Sequence, residues 1–145
     1  MDRISKAHRS WNMSRIRSKH SEPEKLVRSA LHRLGYRFRL HQATLPGTPD
    51  IALSRHKIAV FVNGCYWHQH QGCRYAYVPK SRKAYWKAKF NATRDRDILA
   101  FAKLRSLGWV PLVVWECEAR KADQLPELLT RLLNAATGEQ LGDGL

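Results

Sequence analysis

The strongest constraint on how this chain can fold is a set of soft metal ligands split between two places. Cys65, His70 and Cys73 lie in "CYWHQHQGC", directly after the apolar run "KIAVFV" and its "NG", and Cys117 closes "WVPLVVWEC". Thiolate and imidazole together suit Zn²⁺, and a closed structural site wants four such ligands in a tetrahedron. Cys65, His70 and Cys73 supply three at the spacing C-x4-H-x2-C. With Cys117 as the fourth, an ion would pin the segment after one strand to the end of another. The competing reading is three buried free cysteines, since Cys packs as a small hydrophobe. Cys65 and Cys73 stand in a polar loop, where burial is less expected. Three cysteines are an odd count that makes no disulfide framework and suits a reducing compartment.

The elements around these ligands read in order. "SEPEKLVRSALHRLG" places Ser21 and Glu24 at capping-box spacing, Leu26, Val27, Ala30, Leu31 and Leu34 on one face, and Gly35 as terminator, predicting a helix. "YRFRLH" alternates, "LPGTPD" is turn chemistry, and "DIAL" and "KIAVFV" are short apolar strands, giving a three-strand meander. From Ser81 to Leu107 the residues Trp86, Phe90, Thr93, Asp97, Phe101 and Leu104 fall three or four apart, predicting a helix that Gly108 closes. "WVPLVVWEC" is a buried strand, "LPELLTRLLNAA" an amphipathic helix, and "TGEQLGDGL" a frayed tail. The order α-β-β-β-α-β-α, in 145 residues of which 43% are hydrophobic, argues one compact α/β domain.

Charge points to the partner. Twenty-six Lys and Arg against twelve acidic residues give +14, a field that concentrates a protein on polyanions, nucleic acid first. Six of the basic residues fall in the first twenty, around Trp11 and Met13, and read as a basic arm. That N-terminus has no apolar core of a signal peptide, and no apolar run approaches the roughly 20 residues of a membrane helix, so a soluble intracellular protein is expected.

A second constellation is acidic. Asp50 opens one strand of the meander and Val62 ends the next, so a carboxylate and a backbone carbonyl can meet across a hairpin and serve Mg²⁺, which takes oxygen ligands. Glu24 can add an outer-shell carboxylate if the first helix packs over the meander, although capping-box service alone explains it equally well. The zinc set leaves His68 without a metal role, in a loop leaving a strand, where functional side chains are often presented.

These residues together carry a resemblance. "PGTPD", "VFVNGCYWHQH", "PKSRKAYWKAKF", "RDRD" and "LGWVPLVVWECE" resemble the very short patch repair mismatch endonucleases, a branch of the PD-(D/E)xK nuclease superfamily, from about Ala7 to about Leu133. The resemblance implies a restriction-endonuclease-like α/β core: a central mixed sheet flanked by helices, with a structural zinc site and a basic N-terminal arm. It divides the chain into an arm (1–20), a nuclease domain (21–136) and a flexible tail (137–145). It implies Mg²⁺ on Asp50 and the Val62 carbonyl, Glu24 in the outer shell, His68 as general base, and structural Zn²⁺ on Cys65, His70, Cys73 and Cys117. Tyr66, Trp67 and Trp86 would intercalate into the base stack, with Met13 wedging from the other groove; Lys89 and Thr93, on the helix of Trp86, are further DNA-binding candidates.

The implied activity is a Mg²⁺-dependent nick in one strand of duplex DNA beside a T:G mismatch, left by deamination of 5-methylcytosine. The implied setting is the bacterial cytoplasm at the nucleoid, with the enzyme a monomer and mismatch-repair proteins and a cytosine methyltransferase as candidate partners. The chain departs from the best-known family pattern where Val62 and Asn63 replace Thr and His. A carbonyl ligand survives that change, a second catalytic imidazole does not, and Asn63 retains the ability to hydrogen-bond a phosphate. The zinc loop is one residue longer, with Gln71-Gly72, and must bulge. "VNG" stands where the superfamily has its acid and lysine, so His68 takes the lysine's share. Two other readings are a PD-(D/E)xK nuclease acting on a different lesion and a zinc-stabilised DNA-binding module without catalysis.

Asp97 is out of place on an apolar stripe unless something compensates its desolvation. Acceptance of a hydrogen bond from His68, orienting the base, would do so; a salt bridge to an arginine such as Arg94 or Arg96, or to the basic arm, is the alternative.

Overall fold

A computed structural model describes residues 21–143, with side chains as far as Gly138. Met13 and the rest of the basic arm lie outside the described residues. Helix α1 (Glu22–Arg33) begins where expected: the Ser21 side chain accepts the Glu24 N–H, Pro23 sits in the first turn, and Glu22 and Glu24 face the positive end of the helix dipole. It ends at Gly35, whose φ of +95° is the left-handed conformation that a terminating glycine supplies.

Strands β1 (Arg39–Leu40), β2 (Ile51–Leu53) and β3 (Ile58–Asn63) follow, then helix α2 (Lys83–Ser106), strand β4 (Val110–Trp115), the short helix α3 (Glu116–Ala119) and helix α4 (Leu125–Asp143). The sheet has the order β1-β2-β3-β4, with β1, β2 and β3 antiparallel and β4 parallel to β3. It is therefore the mixed α/β arrangement expected, a meander extended by one crossover through α2.

Alternation sorts the side chains to two faces. Ile58 and Val60 of β3 with Val110, Leu112 and Val114 of β4 meet Val27 and Leu31 of α1 and Leu129 and Leu133 of α4. On the opposite face Ala59 and Phe61 meet Leu104 and Phe101 of α2, with Trp109 and Val113 alongside. Gly47 in the "PGTP" turn lies so close to α2 that a side-chain carbon there would come 2.8 Å from the Ala100 Cβ, and its φ of +77° also favours glycine. The turn that delivers Asp50 is thus clamped between Phe61 and α2.

Three expectations are corrected. The first strand is two residues rather than six. Cys117 lies on α3, just past β4, rather than within the strand. The frayed tail is also wrong in its start: α4 continues through Thr137 to Asp143, with buried Ala136 on its inner face and the Thr137 hydroxyl donating to the Leu133 carbonyl at 2.9 Å.

Candidate active site and metal centres

Both constellations hang from the far end of β3. Its last residue, Asn63, pairs with Trp115 of β4. Because the two strands run parallel, the segments leaving them start side by side, and Cys65 and Cys117 each stand two residues past that pair. The Cys117 backbone N–H donates to the Cys65 sulfur at 3.4 Å. His70 Nδ1 lies 3.7 Å from Cys65 Sγ and 3.5 Å from Cys117 Sγ, and with Cys73 the four ligand atoms all fall within 4.8 Å of one another. With Zn–S near 2.3 Å and Zn–N near 2.05 Å, a tetrahedral S···N edge is about 3.6 Å, so the two His70 separations fit an ion of this kind. The His70 ring is further fixed by stacking on Trp115, with centroids 4.1 Å apart and planes 9° from parallel. The longer His70–Cys73 spacing is absorbed as a turn, with Gly72 at φ +77° and the Cys73 N–H donating to the His70 carbonyl.

Without an ion the thiols differ. Burial pushes the Cys65 thiol up to about 12, and burial also raises Cys117, whereas the Tyr75 backbone N–H lowers Cys73. Cys65 is fully buried, contrary to its polar-loop surroundings in the sequence, because its loop folds back over the end of the sheet.

On the β2 side, the Val62 N–H donates to Asp50 Oδ2 at 2.7 Å. The N–H and C=O of one strand residue point to the same edge, so the Val62 carbonyl is directed to the Asp50 side as well. Glu24, buried at 3% exposure, brings its carboxylate to the same place, and His41 joins them; the ligand atoms of Glu24, His41 and Asp50 lie within 4.8 Å of one another. Glu24 Oε1 is 2.9 Å from His41 Nε2, and its Oε2 accepts from Arg28 at 2.9 Å. The capping explanation of Glu24 is therefore incomplete: its backbone N–H is capped, while its carboxylate works elsewhere. Burial drives the Asp50 carboxyl up to about 6; the Val62 N–H opposes this and Glu24 adds to it. Two carboxylates and a carbonyl in a largely buried niche are a hard-ligand set that fits Mg²⁺.

The other side of the β3 end opens on a cleft of about 770 Å³, lined among others by Asn63, His68, Arg94, Asp97, Ile98 and Trp115. His68 Nδ1 is 2.6 Å from Asp97 Oδ2. Since a carboxylate only accepts, Nδ1 carries the proton and Nε2 is left as the basic nitrogen, bonded to nothing among the described residues. The hydrogen bond expected between Asp97 and His68 is present, and no ion pair from Asp97 to Arg94 or Arg96 forms among the described residues; a partner in the basic arm lies outside them. Asn63 is 6% exposed, its small remaining surface in the cleft.

The aromatic candidates form one cluster. Tyr66 packs at 5.2 Å from Trp67, 6.0 Å from Trp86, 5.3 Å from Phe90 and 5.1 Å from Tyr77. Trp67 is 8% exposed although its loop is polar in sequence, because α2 supplies Trp86 as a floor. Lys89 and Thr93 are half-buried on the same stripe, and the Thr93 hydroxyl bonds the Lys89 carbonyl of its own helix. His41 was not legible as a site residue, because only the register of β1 on β2, Leu40 opposite Ile51, carries it to Asp50.

Comparison with known proteins gives a consistent set. The family model described as DNA mismatch endonuclease Vsr matches residues 1–74. The chain is 47% identical over 133 residues to the type II nicking enzyme V.XorIIP of Xanthomonas oryzae pv. oryzae, covering 92% of this chain and 97% of that one. It is 38% identical over 132 residues to the type II nicking enzyme V.NmeAIP of Neisseria meningitidis, covering 91% and 94%. It is also 38% identical over 129 residues to the DNA mismatch endonuclease Vsr of Escherichia coli, covering 88% and 82%.

Proposed function

This chain belongs to the Vsr family of DNA mismatch endonucleases, and on that premise we propose that it nicks one strand of duplex DNA beside a T:G mismatch with Mg²⁺ as cofactor. The observation that carries the reading is the His68–Asp97 pair facing the cleft, at the end of the strand whose other edge presents Val62 to Asp50. His68 Nε2 takes the proton of the attacking water, and Asp97 holds the ring in the competent tautomer and compensates the imidazolium that forms. Asp50 and the Val62 carbonyl hold Mg²⁺, with Glu24 in its outer shell; when bound, the ion supplies positive charge for the phosphate as negative charge builds on it. Asn63 and Arg94, in the cleft beside His68, hold the scissile phosphate.

Cys65, His70, Cys73 and Cys117 hold structural zinc, which leaves no open position for water and anchors the loop of Tyr66, Trp67 and His68. Tyr66, Trp67 and Trp86 enter the base stack at the mismatch, whose wobble pair costs less to open than a matched one. Lys89, the arm of residues 1–20 and its Met13 add contacts from outside, mostly to phosphate. The core of residues 21–136 is the restriction-endonuclease-like nuclease unit. The enzyme works as a monomer in the cytoplasm at the nucleoid, alongside mismatch-repair proteins and a cytosine methyltransferase; no helix among the described residues is long and apolar enough to cross a membrane.

The test is incubation of purified protein and Mg²⁺ with a labelled T:G duplex, its matched control, and abasic, flapped and branched DNA. Selective nicking of the T:G strand is expected. Equal cleavage of mismatched and matched duplex, or preference for a flap or branch, overturns the substrate assignment.

A further inference from the structure

We infer that His41 is a positioning residue of the carboxylate pair, holding Glu24 in the orientation in which it supports, from the outer shell, the divalent ion that Asp50 receives. The inference rests on the metal-dependent reading of Asp50 above. His41 touches both acidic residues by different groups. Its Nε2 lies 2.9 Å from Glu24 Oε1, while its backbone N–H donates to the Asp50 carbonyl at 3.1 Å. Its side chain is 10% exposed and that of Glu24 is 4% exposed, so neither is a solvated surface group. A carboxylate only accepts, so the imidazole presents Nε2–H to it. Arg28 engages the other oxygen at 2.9 Å, and the Glu24 carboxylate is thereby held at both ends.

The backbone supports the same conclusion. His41 has φ of +46°, a left-handed conformation that residues with a Cβ adopt rarely and that clusters at functional sites. The strain is what turns the chain at the end of β1 so that the ring projects back over α1 rather than continuing along the strand. A residue that only filled space there would be served better by Gly or Asn, which take this conformation at less cost. A buried carboxylate, Glu24, beside a half-buried one, Asp50, also repels it, and a donor fixed on Glu24 keeps the pair together before an ion arrives.

The substitution His41→Asn separates positioning from structure. Asn accommodates the left-handed backbone at least as well as His, but its amide is too short to reach Glu24 Oε1. His41→Gln places an N–H donor about where Nε2 stands. Each zinc-loaded protein is titrated with Mn²⁺, followed by loss of the free-ion electron paramagnetic resonance signal, with Asp50→Ala as the blank for other sites. H41N is expected to keep the wild-type melting temperature or exceed it, to bind Mn²⁺ about tenfold more weakly, and to show unchanged KM for DNA with reduced turnover at fixed Mg²⁺. H41Q should recover Mn²⁺ binding to within about threefold. Wild-type Mn²⁺ affinity in H41N, or a fall in melting temperature that accounts for the loss and is not rescued by H41Q, overturns the inference. If the Mn²⁺ pattern holds while the wild-type protein fails to nick T:G duplex, the substrate assignment falls and the role of His41 stands.

Discussion

Asp97 on α2 lies 2.6 Å from His68 in the loop beyond β3, a contact spanning 29 residues of sequence that joins the crossover helix to the edge of the cleft. Replacing Asp97 by Asn keeps the shape but removes the charge and turns one of the two accepting oxygens into an N–H donor, so that the tautomer protonated at His68 Nδ1 is no longer enforced. Nicking by D97N should fall on the order of 10²-fold or more, while DNA affinity, measured by fluorescence anisotropy, changes by less than about threefold. Normal single-turnover rates in D97N would remove Asp97 from the mechanism.

Asp50 makes function and stability oppose each other. Its folded-state carboxyl is raised from 3.8 to about 6. The folded chain therefore binds this proton more tightly than the unfolded chain, so the group's contribution to stability is fully present below about pH 4 and is lost as pH rises through about 6. Without added divalent ions, D50N should melt several degrees higher than wild type at pH 7.5 and show little difference at pH 4, while nicking is abolished. The same protonation competes with the metal, so the Mg²⁺ concentration giving half-maximal nicking should rise as pH falls below about 6. Calorimetric scans across pH and a Mg²⁺ titration at pH 5.5 and 7.5 check both.

Cys117→Ser should lower the zinc content, the melting temperature and the nicking rate together, because the loop that carries His68 loses its tie to α3. Elemental analysis of protein purified without chelator should find one zinc per wild-type chain. A zinc-free wild type of full activity would refute the structural assignment.

The aromatic cluster predicts a division between Trp67 and Trp86. Trp67 is nearly buried, so Trp67→Ala should cost about 3–5 kcal/mol of stability and confuse the readout. Trp86 is half-buried at the start of α2, and Trp86→Ala should leave the fold intact while reducing the ratio of T:G to matched-duplex nicking at least tenfold. An unchanged ratio in Trp86→Ala would argue against its entry into the base stack.

Deleting residues 1–20 removes six basic side chains. If all six meet phosphate, the slope of log affinity against log salt should flatten by up to about 5. An unchanged slope would mean that the arm does not touch DNA.

Much of this was legible in the chain because the signals were local or doubly determined. The cap at Ser21, the stripe from Trp86 to Leu104 and the apolar runs of β3 and β4 each follow from period and punctuation. The cluster of Cys65, His70, Cys73 and Cys117 was legible because the donor chemistry is unusual and the count closes at four. Asp97 betrayed itself as a carboxylate on an apolar stripe. What escaped depended on the assembled sheet. His41 reaches Asp50 only through the β1–β2 register, in a strand too short to leave a pattern. Trp67 is buried only once α2 lies beneath its loop. Helix α4 runs past Thr137 through a stretch whose glycines and polar side chains read locally as a fraying end.

The approach of Cys65 to Cys117 bears on the order in which the chain assembles. An ion shared by the four residues would close a ring of sequence that contains the rest of the loop after β3, all of α2 and all of β4. In the unfolded chain such a ring behaves as a cross-link, and for a separation of 52 residues the chain-entropy model assigns it about 4 kcal/mol. That saving falls on the slowest kind of pairing in the fold, the non-local parallel match of β3 with β4. Metal capture in the nascent chain would bring the two strand ends together before the sheet exists, and the crossover should then form and, on chelation, come apart as a single hydrogen-exchange unit.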